Sequence, residues 1–257
     1  MLAREVSQPP KGTQSIHRTI SVIRAISQAK KCSRLSWIAR KTNLPLATTH
    51  RILSGLEWNG LINHDPYSKE YSLGDELFYL VNAACQSNIR ERLRSSLERV
   101  ANETEDMVFL QIRSAYDVLC ADLVTGGYPI RAIAIKTGTR RPLGIGAGGL
   151  ALIAFLPDEK FEEIIRANQQ RYLQYYKIKP DYIRYLANVS RKRGYVVSEQ
   201  VFQKNITSVS VPLFDRNKNV MAAISVASIP QRMNKERQKK VAQIINKTIE
   251  IEGTDKW

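Results

Sequence analysis

Residues 144–155 read GIGAGGLALIAF, and Gly144, Gly146 and Gly149 within them spell G-x-G-x-x-G. In a dinucleotide-binding fold this spacing needs a buried strand running directly into it and a helix after it. It also needs an acid closing the next strand about 20 residues on. Here the approach is KTGTRRPL, residues 136–143, a polar and basic segment broken by Pro142. The acids that follow, Asp158, Glu159, Glu162 and Glu163, fall on a helical pattern. The strand–helix–strand context fails, so the spacing is a coincidence of a glycine-rich loop that opens a helix at about 147–156.

Around this loop lie short β runs. VFLQIRSAYDVLCADLV, residues 108–124, predicts a hairpin turning near Ser114–Asp117, and IRAIAI at 130–135 predicts a further strand. YVVSE (195–199), SVSVPLF (208–214) and VMAAISVAS (220–228) predict three more. Helical patterns occupy about 158–169, 180–193 and Asn234 to Ile251. An antiparallel sheet flanked by helices is an α+β fold, and its natural ligand site is a cup on one sheet face.

Catalytic patterns are missing from this half. All three histidines, His17, His50 and His64, precede residue 75, which leaves no triad base and no His-ligated metal beyond it. Neither G-x-S-x-G nor H-E-x-x-H occurs. Cys32, Cys85 and Cys120 are odd in number, scattered and without a C-x-x-C pair, which argues against disulfides and thiolate metal sites. No cofactor and no metal are expected. The half reads as a sensing domain whose glycine-rich loop brings backbone N–H groups close to a small ligand.

Towards the N-terminus, residues 75–102 hold no proline or glycine, and Leu77, Leu80, Leu93, Leu97 and Val100 recur at helical spacing. They predict a linker helix between residues 1–74 and 103–257, one that can also carry a dimer contact. In SIHRTISVIRAISQA, residues 15–29, Ile16, Ile20, Ile23 and Ile26 form a helical stripe with Val22 beside it. LSWIARKT, 35–42, is a shorter helix with Leu35, Ile38 and Ala39 inward. Asn43 then forms a turn, and Pro45 suits the first turn of a third helix over 46–59. Spacing turns Thr49, Ile52, Leu53 and Leu56 inward and presents Ala47, His50, Arg51 and Ser54 outward; Gly60 ends the helix. LINHDPYSKEYSL, 61–73, follows as two alternating strands about an Asp65-Pro66 turn. Three helices and a small hairpin make a winged helix-turn-helix, whose third helix enters a major groove with the hairpin near the backbone.

The charge agrees. The chain carries a formal +15, unevenly spread. Residues 1–74 hold 11 Lys and Arg against four acids, residues 75–105 hold four against six, and residues 106–257 hold 24 against 14. Two basic blocks flank a mildly acidic helical stretch, and a basic excess favours a polyanionic partner because phosphate contacts release counterions. On the third helix Thr48, Thr49, His50, Arg51 and Ser54 form the expected set of contacts to double-stranded DNA, Thr49 despite its inward spacing. Arg51 suits guanine or a phosphate, and Thr48 suits phosphate oxygens near the helix N-terminus. His50 either reads a base edge or has no role. Lys69, in the hairpin, is either a phosphate contact or an ordinary charged turn residue. No stretch is apolar for long enough to cross a bilayer and MLAREVSQPPKG has no apolar signal region, so a cytoplasmic protein is expected.

Four segments, in this order, carry a resemblance: SIHRTISVIRAIS, LPLATTHRILSGLEWNGLI, TGTRRPLGIGAGGLALIAFLP and RGYVVSEQVFQKNITSVSVPLFDRNKNVMAAISVA. Together they resemble the IclR-type transcriptional regulators over nearly the whole chain. The resemblance implies a winged helix-turn-helix, a linker helix and a GAF-like C-terminal domain that binds a small, often carboxylate-bearing effector. It also implies homodimers or homotetramers on palindromic operators. Thr48 and Arg51 match the usual Thr and Arg of the recognition helix, whereas the common Lys-Ser before them is Leu46-Ala47. Ala147, Gly148 and Gly149 fall where the family lines its effector cup, and the frequent Lys after them is Leu150. A frequent Asp is Ser198, a frequent Cys is Ser208, the usual acidic pair is Gln200 and Val201, and a usual glycine is Asn205. Ser225 completes the expected effector-binding set of Ala147, Gly148, Gly149, Ser198, Ser208 and Ser225. With the second basic block, a small anion such as a carboxylate is the expected effector. Two other readings stay open: an enzyme with an accessory basic domain, and a basic nucleic-acid-binding adaptor without an effector.

Overall fold

The structure is a computed structural model that describes residues 12–29, 33–77, 80, 89–130, 135–199 and 204–252. It divides into two compact units, residues 7–88 and the chain from residue 89 onward. The expected strand at 130–135 lies mostly outside the described residues, as do Cys32, Cys85, Gln200, Val201 and much of the expected linker.

The first unit runs α1 (Gln14–Ser27), β1 (Ser33–Arg34), α2 (Leu35–Thr42), α3 (Leu46–Trp58), β2 (Ile62–Asp65) and β3 (Glu70–Leu73). Its strands order as β1-β3-β2, all pairs antiparallel. The two-residue β1 extends the hairpin into a three-stranded sheet and was too short to leave a periodic signal. Val22, Ala25, Ile26, Ile38, Leu53, Leu56, Ile62 and Tyr71 make the core. The expected α1 stripe holds only in its second half, where Ile26 and the neighbouring Val22 are buried and Ile23 packs against the core. Ile16 is 63% exposed and Ile20 39%, because the inward face runs through Val22, Ala25 and Ile26 and the first turns of α1 reach past the core.

Asn43 ends α2 in the left-handed conformation (φ 54°), which asparagine tolerates better than most residues. The Leu44 N–H returns to the Ala39 carbonyl at 3.1 Å, closing the helix end. Pro45 stands at the N-cap of α3, one residue ahead of its expected place. Asp65 holds the hairpin turn by accepting from the Tyr67 N–H (2.8 Å) and the Ser68 hydroxyl (2.8 Å).

The second unit contains α4 (Ile89–Thr104), β4 (Met107–Ser114), β5 (Asp117–Val124), β6 (Arg140–Pro142), α5 (Gly146–Ala154) and α6 (Asp158–Arg171). A π-helical turn (Tyr172–Tyr176), α7 (Pro180–Arg193), β7 (Val196–Glu199), β8 (Thr207–Phe214), β9 (Val220–Ser228) and α8 (Lys235–Glu252) complete it. The sheet orders as β6-β5-β4-β9-β8-β7, antiparallel throughout. Arg140–Pro142, read from sequence as no buried strand, is a short antiparallel edge strand. A dinucleotide fold would need parallel pairing here, so the glycine spacing has no such meaning.

Strand alternation divides the sheet's two faces. Val108, Leu110, Val209, Val211, Ile224 and Val226 pack against Leu93, Leu97 and Val100 of α4 and Val241 and Ile245 of α8. The C-terminal part of the expected linker is thus an integral layer of this unit. Val118, Val196 and Ala223, on the opposite face, meet a second cluster containing α5 and parts of α6 and α7. A bulge opposes Leu110 to Asp122 but Gln111 to Cys120. Such an insertion bends the strand and raises its twist. It sits on the strands that carry the site described next, and it turns Asp122 towards α4, where Arg90 and Arg94 pair with it at 3.3 and 3.2 Å.

Candidate nucleic-acid interface and ligand cup

On α3 the inward face is Thr49, Leu53 and Leu56. Thr49 is fully buried and its hydroxyl donates to the Pro45 carbonyl at 3.0 Å, so the expected DNA contact at Thr49 is withdrawn. His50, Arg51 and Ser54 are exposed, and Thr48 is half-buried. Trp58, 91% exposed, continues the outer face. The first-turn N–H groups of α3, ahead of Thr49, have no intrahelical acceptor, a property of every helix N-terminus that favours anions. Lys69 is exposed in the hairpin turn at φ 55°, with its N–H donating to the Asp65 carbonyl at 2.8 Å. His64 is a packing residue: it stacks on Tyr71 at 4.4 Å between ring centroids.

The second unit holds a cup of about 600 Å³, counted out to its open mouth. Its floor is the sheet face carrying Phe109, Gln111, Val118, Cys120, Ser225 and Ala227, and Ser198 and Ser208 continue it on β7 and β8. Those two serines face each other in register. The rim is Ile145, Gly146, Ala147 and Gly148, with Thr139, Arg141, Ile135 and Ile206 on the walls. Of the expected effector set, Ala147, Gly148, Ser198, Ser208 and Ser225 line the cup. Gly149 does not. A side chain there would meet Val118 Cγ1 and the Pro142 carbonyl, because each residue along a helix points in a new direction.

The glycines now have separate explanations. Gly146 turns the chain into α5 at φ 77°, a left-handed value that favours glycine. Gly148 is required by close approach, since a Cβ there would lie 1.5 Å from Gln111 Oε1 and 2.8 Å from Ser225 Oγ. Ser225 Oγ lies 2.6 Å from Gln111 Oε1 and 2.9 Å from Ser210 Oγ, while the Ser210 hydroxyl donates to the Ile224 carbonyl at 3.1 Å. This buried chain holds the Gln111 carboxamide against the α-carbon of Gly148. Leu150, where the family often has Lys, is buried in the core below the cup.

Arg141 is the one charged side chain of the lining, and no carboxylate lines the cup among the described residues. Burial pulls its guanidinium below the ordinary value, Tyr176 and Cys120 working weakly the other way. Arginine remains charged at neutral pH through such a shift. Burial also pushes the Cys120 thiol up to about 12, so it stays protonated and packs as a small apolar group. Sequence reading missed Arg141, taking it as part of a basic loop, and missed Gln111 as an ordinary strand residue. Behind the rim, Arg171 pairs with Asp117 at 2.7 Å, both side chains almost wholly buried. The Tyr172 hydroxyl donates to the Leu143 carbonyl just ahead of the glycine loop. No group of three His, Cys, Asp or Glu side chains converges as a metal site among the described residues.

Residues 81–250 match the family described as bacterial transcriptional regulator IclR, C-terminal, and residues 15–66 match the IclR helix-turn-helix domain. The chain belongs to the IclR family. It is 28% identical over 207 residues to the HTH-type transcriptional regulator KipR of Bacillus subtilis, covering 79% of this chain and 81% of that one. It is 23% identical over 230 residues to the transcriptional repressor IclR of Escherichia coli, with 87% and 83% covered. Among solved structures, an IclR transcriptional regulator from Alicyclobacillus acidocaldarius superposes with a TM-score of 0.75 at 23% identity, covering 93% of this chain and 96% of that one. An IclR homolog from Microbacterium hydrocarbonoxydans, solved with 4-hydroxybenzoate, superposes with a TM-score of 0.75 at 20% identity, covering 93% and 98%. This IclR-family chain is a DNA-binding transcriptional regulator and not an enzyme. No helix among its described residues is long and apolar enough to cross a membrane.

Proposed function

We propose that a small carboxylate, held in the cup, sets the operator affinity of this regulator. The observation that carries this reading is the lining itself: one guanidinium, Arg141, with the hydroxyls of Ser198 and Ser208, and no carboxylate among the described lining residues. Hydroxyls donate to an anion where a carboxylate in the same place would repel it, so Ser198 in place of the family's frequent Asp suits an anionic ligand. The N-terminus of α5 opens onto the same space and adds helix-end N–H groups. Phe109, Val118 and Ala227 supply the apolar surface that takes the ligand's carbon skeleton. The relative from Microbacterium hydrocarbonoxydans was solved with 4-hydroxybenzoate, a small carboxylate.

In this reading α3 enters the major groove with Arg51 and Thr48 as its principal contacts and His50 and Ser54 beside them, and Lys69 approaches the backbone from the wing. The regulator works as a homodimer or homotetramer on a two-fold operator, in the cytoplasm where the DNA lies.

A thermal-shift series tests the effector. Small carboxylates, 4-hydroxybenzoate included, are compared with their neutral amides on wild-type, Arg141→Met and Ser208→Ala proteins. Stabilisation by an acid but not its amide is expected for wild type, weakened in Ser208→Ala and lost in Arg141→Met, with ligand-free DNA affinity unchanged in both variants. Equal stabilisation by acid and amide, or an unaltered response in Arg141→Met, overturns the carboxylate reading.

A further inference from the structure

A groove on the first unit lies between α1 and α3. Arg18 and Thr19 of α1 line it opposite Thr48 and Arg51 of α3, and Ile52 and Leu56 form its apolar base. No carboxylate lines it, and among the described residues neither Arg18 nor Arg51 has an acidic partner. This contrasts with the second unit, where Arg171, Arg184, Arg191, Arg232 and Arg237 each pair with an acid at 3.2 Å or less. Two guanidinium groups lining one concavity that holds no carboxylate give it a positive potential that favours an anion.

We propose that this groove receives one sugar-phosphate strand of the operator, with Arg18 delivering a phosphate contact from the first helix. The placement of the wing supports it. β2 packs on the Glu57 side of α3, where Glu57 and His64 lie 3.9 Å apart, and the groove lies on the other side, towards α1. A helix seated in a major groove is bordered by two phosphate strands. The hairpin with Lys69 meets one of them, and the α1 groove is the facing surface for the other. Gly55 lies in the groove, and a Cβ there would meet nothing within 4 Å, which leaves the base open to the strand.

The test uses the full chain and a random-sequence DNA duplex, with affinity measured across a salt series. Arg18→Ala is expected to lower the slope of log K against log salt by about 0.9, the counterion release of one phosphate, and to weaken random and operator DNA alike. Arg18→Lys, which keeps the charge, is expected to retain the wild-type slope. Gly55→Leu fills the groove without changing charge and is expected to weaken DNA binding while leaving the melting temperature near wild type; if this variant fails to fold, the Arg18 pair decides alone. A wild-type slope in Arg18→Ala, or equal losses in Arg18→Ala and Arg18→Lys, overturns the proposal. Salt-insensitive binding by the wild type would instead strike at the DNA-binding role of the whole unit.

Discussion

α3 and α5 each follow a loop, and each presents one of the two sites, yet they expose opposite amounts of themselves. α3 buries one stripe, Thr49, Leu53 and Leu56, and leaves His50, Arg51 and Ser54 in solvent. Every residue of α5 from Ala147 to Ala154 is buried. A side chain on the outer face of α3 is therefore free to be chosen for what it binds. A residue in α5 must first satisfy the packing of sheet and helices around it, and only the few atoms at its N-terminal end meet the cup. Substitutions on α3 should change affinity with little change in stability; those around α5 should change stability before they change anything else.

The largest expected effect lies behind the cup. Arg171→Met breaks the buried ion pair with Asp117, which should cost roughly 3–5 kcal/mol of unfolding free energy. The more exposed Arg184–Glu162 pair is the control, expected to cost at most about 1 kcal/mol when Arg184 is replaced. Denaturant midpoints of the two variants check the ranking, and equal losses would show that burial does not set the value of an ion pair here.

Next is Gly148→Leu. Its Cβ would fall on the Gln111 carboxamide, and overpacking of this kind typically costs roughly 1–3 kcal/mol. The ligand response should disappear with it, since Gln111 is driven into the cup. Adding Gln111→Ala should return part of the stability. A double variant no better than the single one would place the strain elsewhere than Gln111.

The smallest effect on folding, and the sharpest on binding, is expected from Arg51→Ala. Specific DNA binding should fall by roughly 1–3 kcal/mol, while unfolding free energy should stay within about 0.5 kcal/mol of wild type. Titrations against operator and random duplexes check this. Equal loss on both would make Arg51 a phosphate contact, and a marked loss of stability would break the contrast between the two helices.

Local periodicity made much of this protein legible. The bounds of α2 at 35–42 and α7 at 180–193 follow from apolar spacing and flanking turn residues alone, as does the hairpin turning between Ser114 and Asp117. The exclusion of a dinucleotide site also followed from neighbours in sequence, because KTGTRRPL cannot serve as a central parallel strand. Spacing likewise separated Arg51 and Ser54 from Leu53 and Leu56, since one helix turn fixes which residues share a face.

Tertiary structure decided the rest. Periodicity identifies a stripe on α1, but the choice between Ile16 and Ile20 and the stripe through Val22 and Ala25 depends on where α2, α3 and the small sheet end. That residue 148 must be glycine depends on Gln111, more than 30 residues away along the chain. Gln111 is itself held by Ser225, 114 residues further on, through a strand pairing that joins β4 to β9. Arg141 enters the cup because β6 attaches at the edge of β5, and Arg18 shares a groove with Arg51 because α1 packs against α3. Helix and strand periods are properties of neighbouring residues and can be read from the chain. A site is a meeting of residues distant in sequence, and only the packing that removes apolar surface from water determines which of them meet.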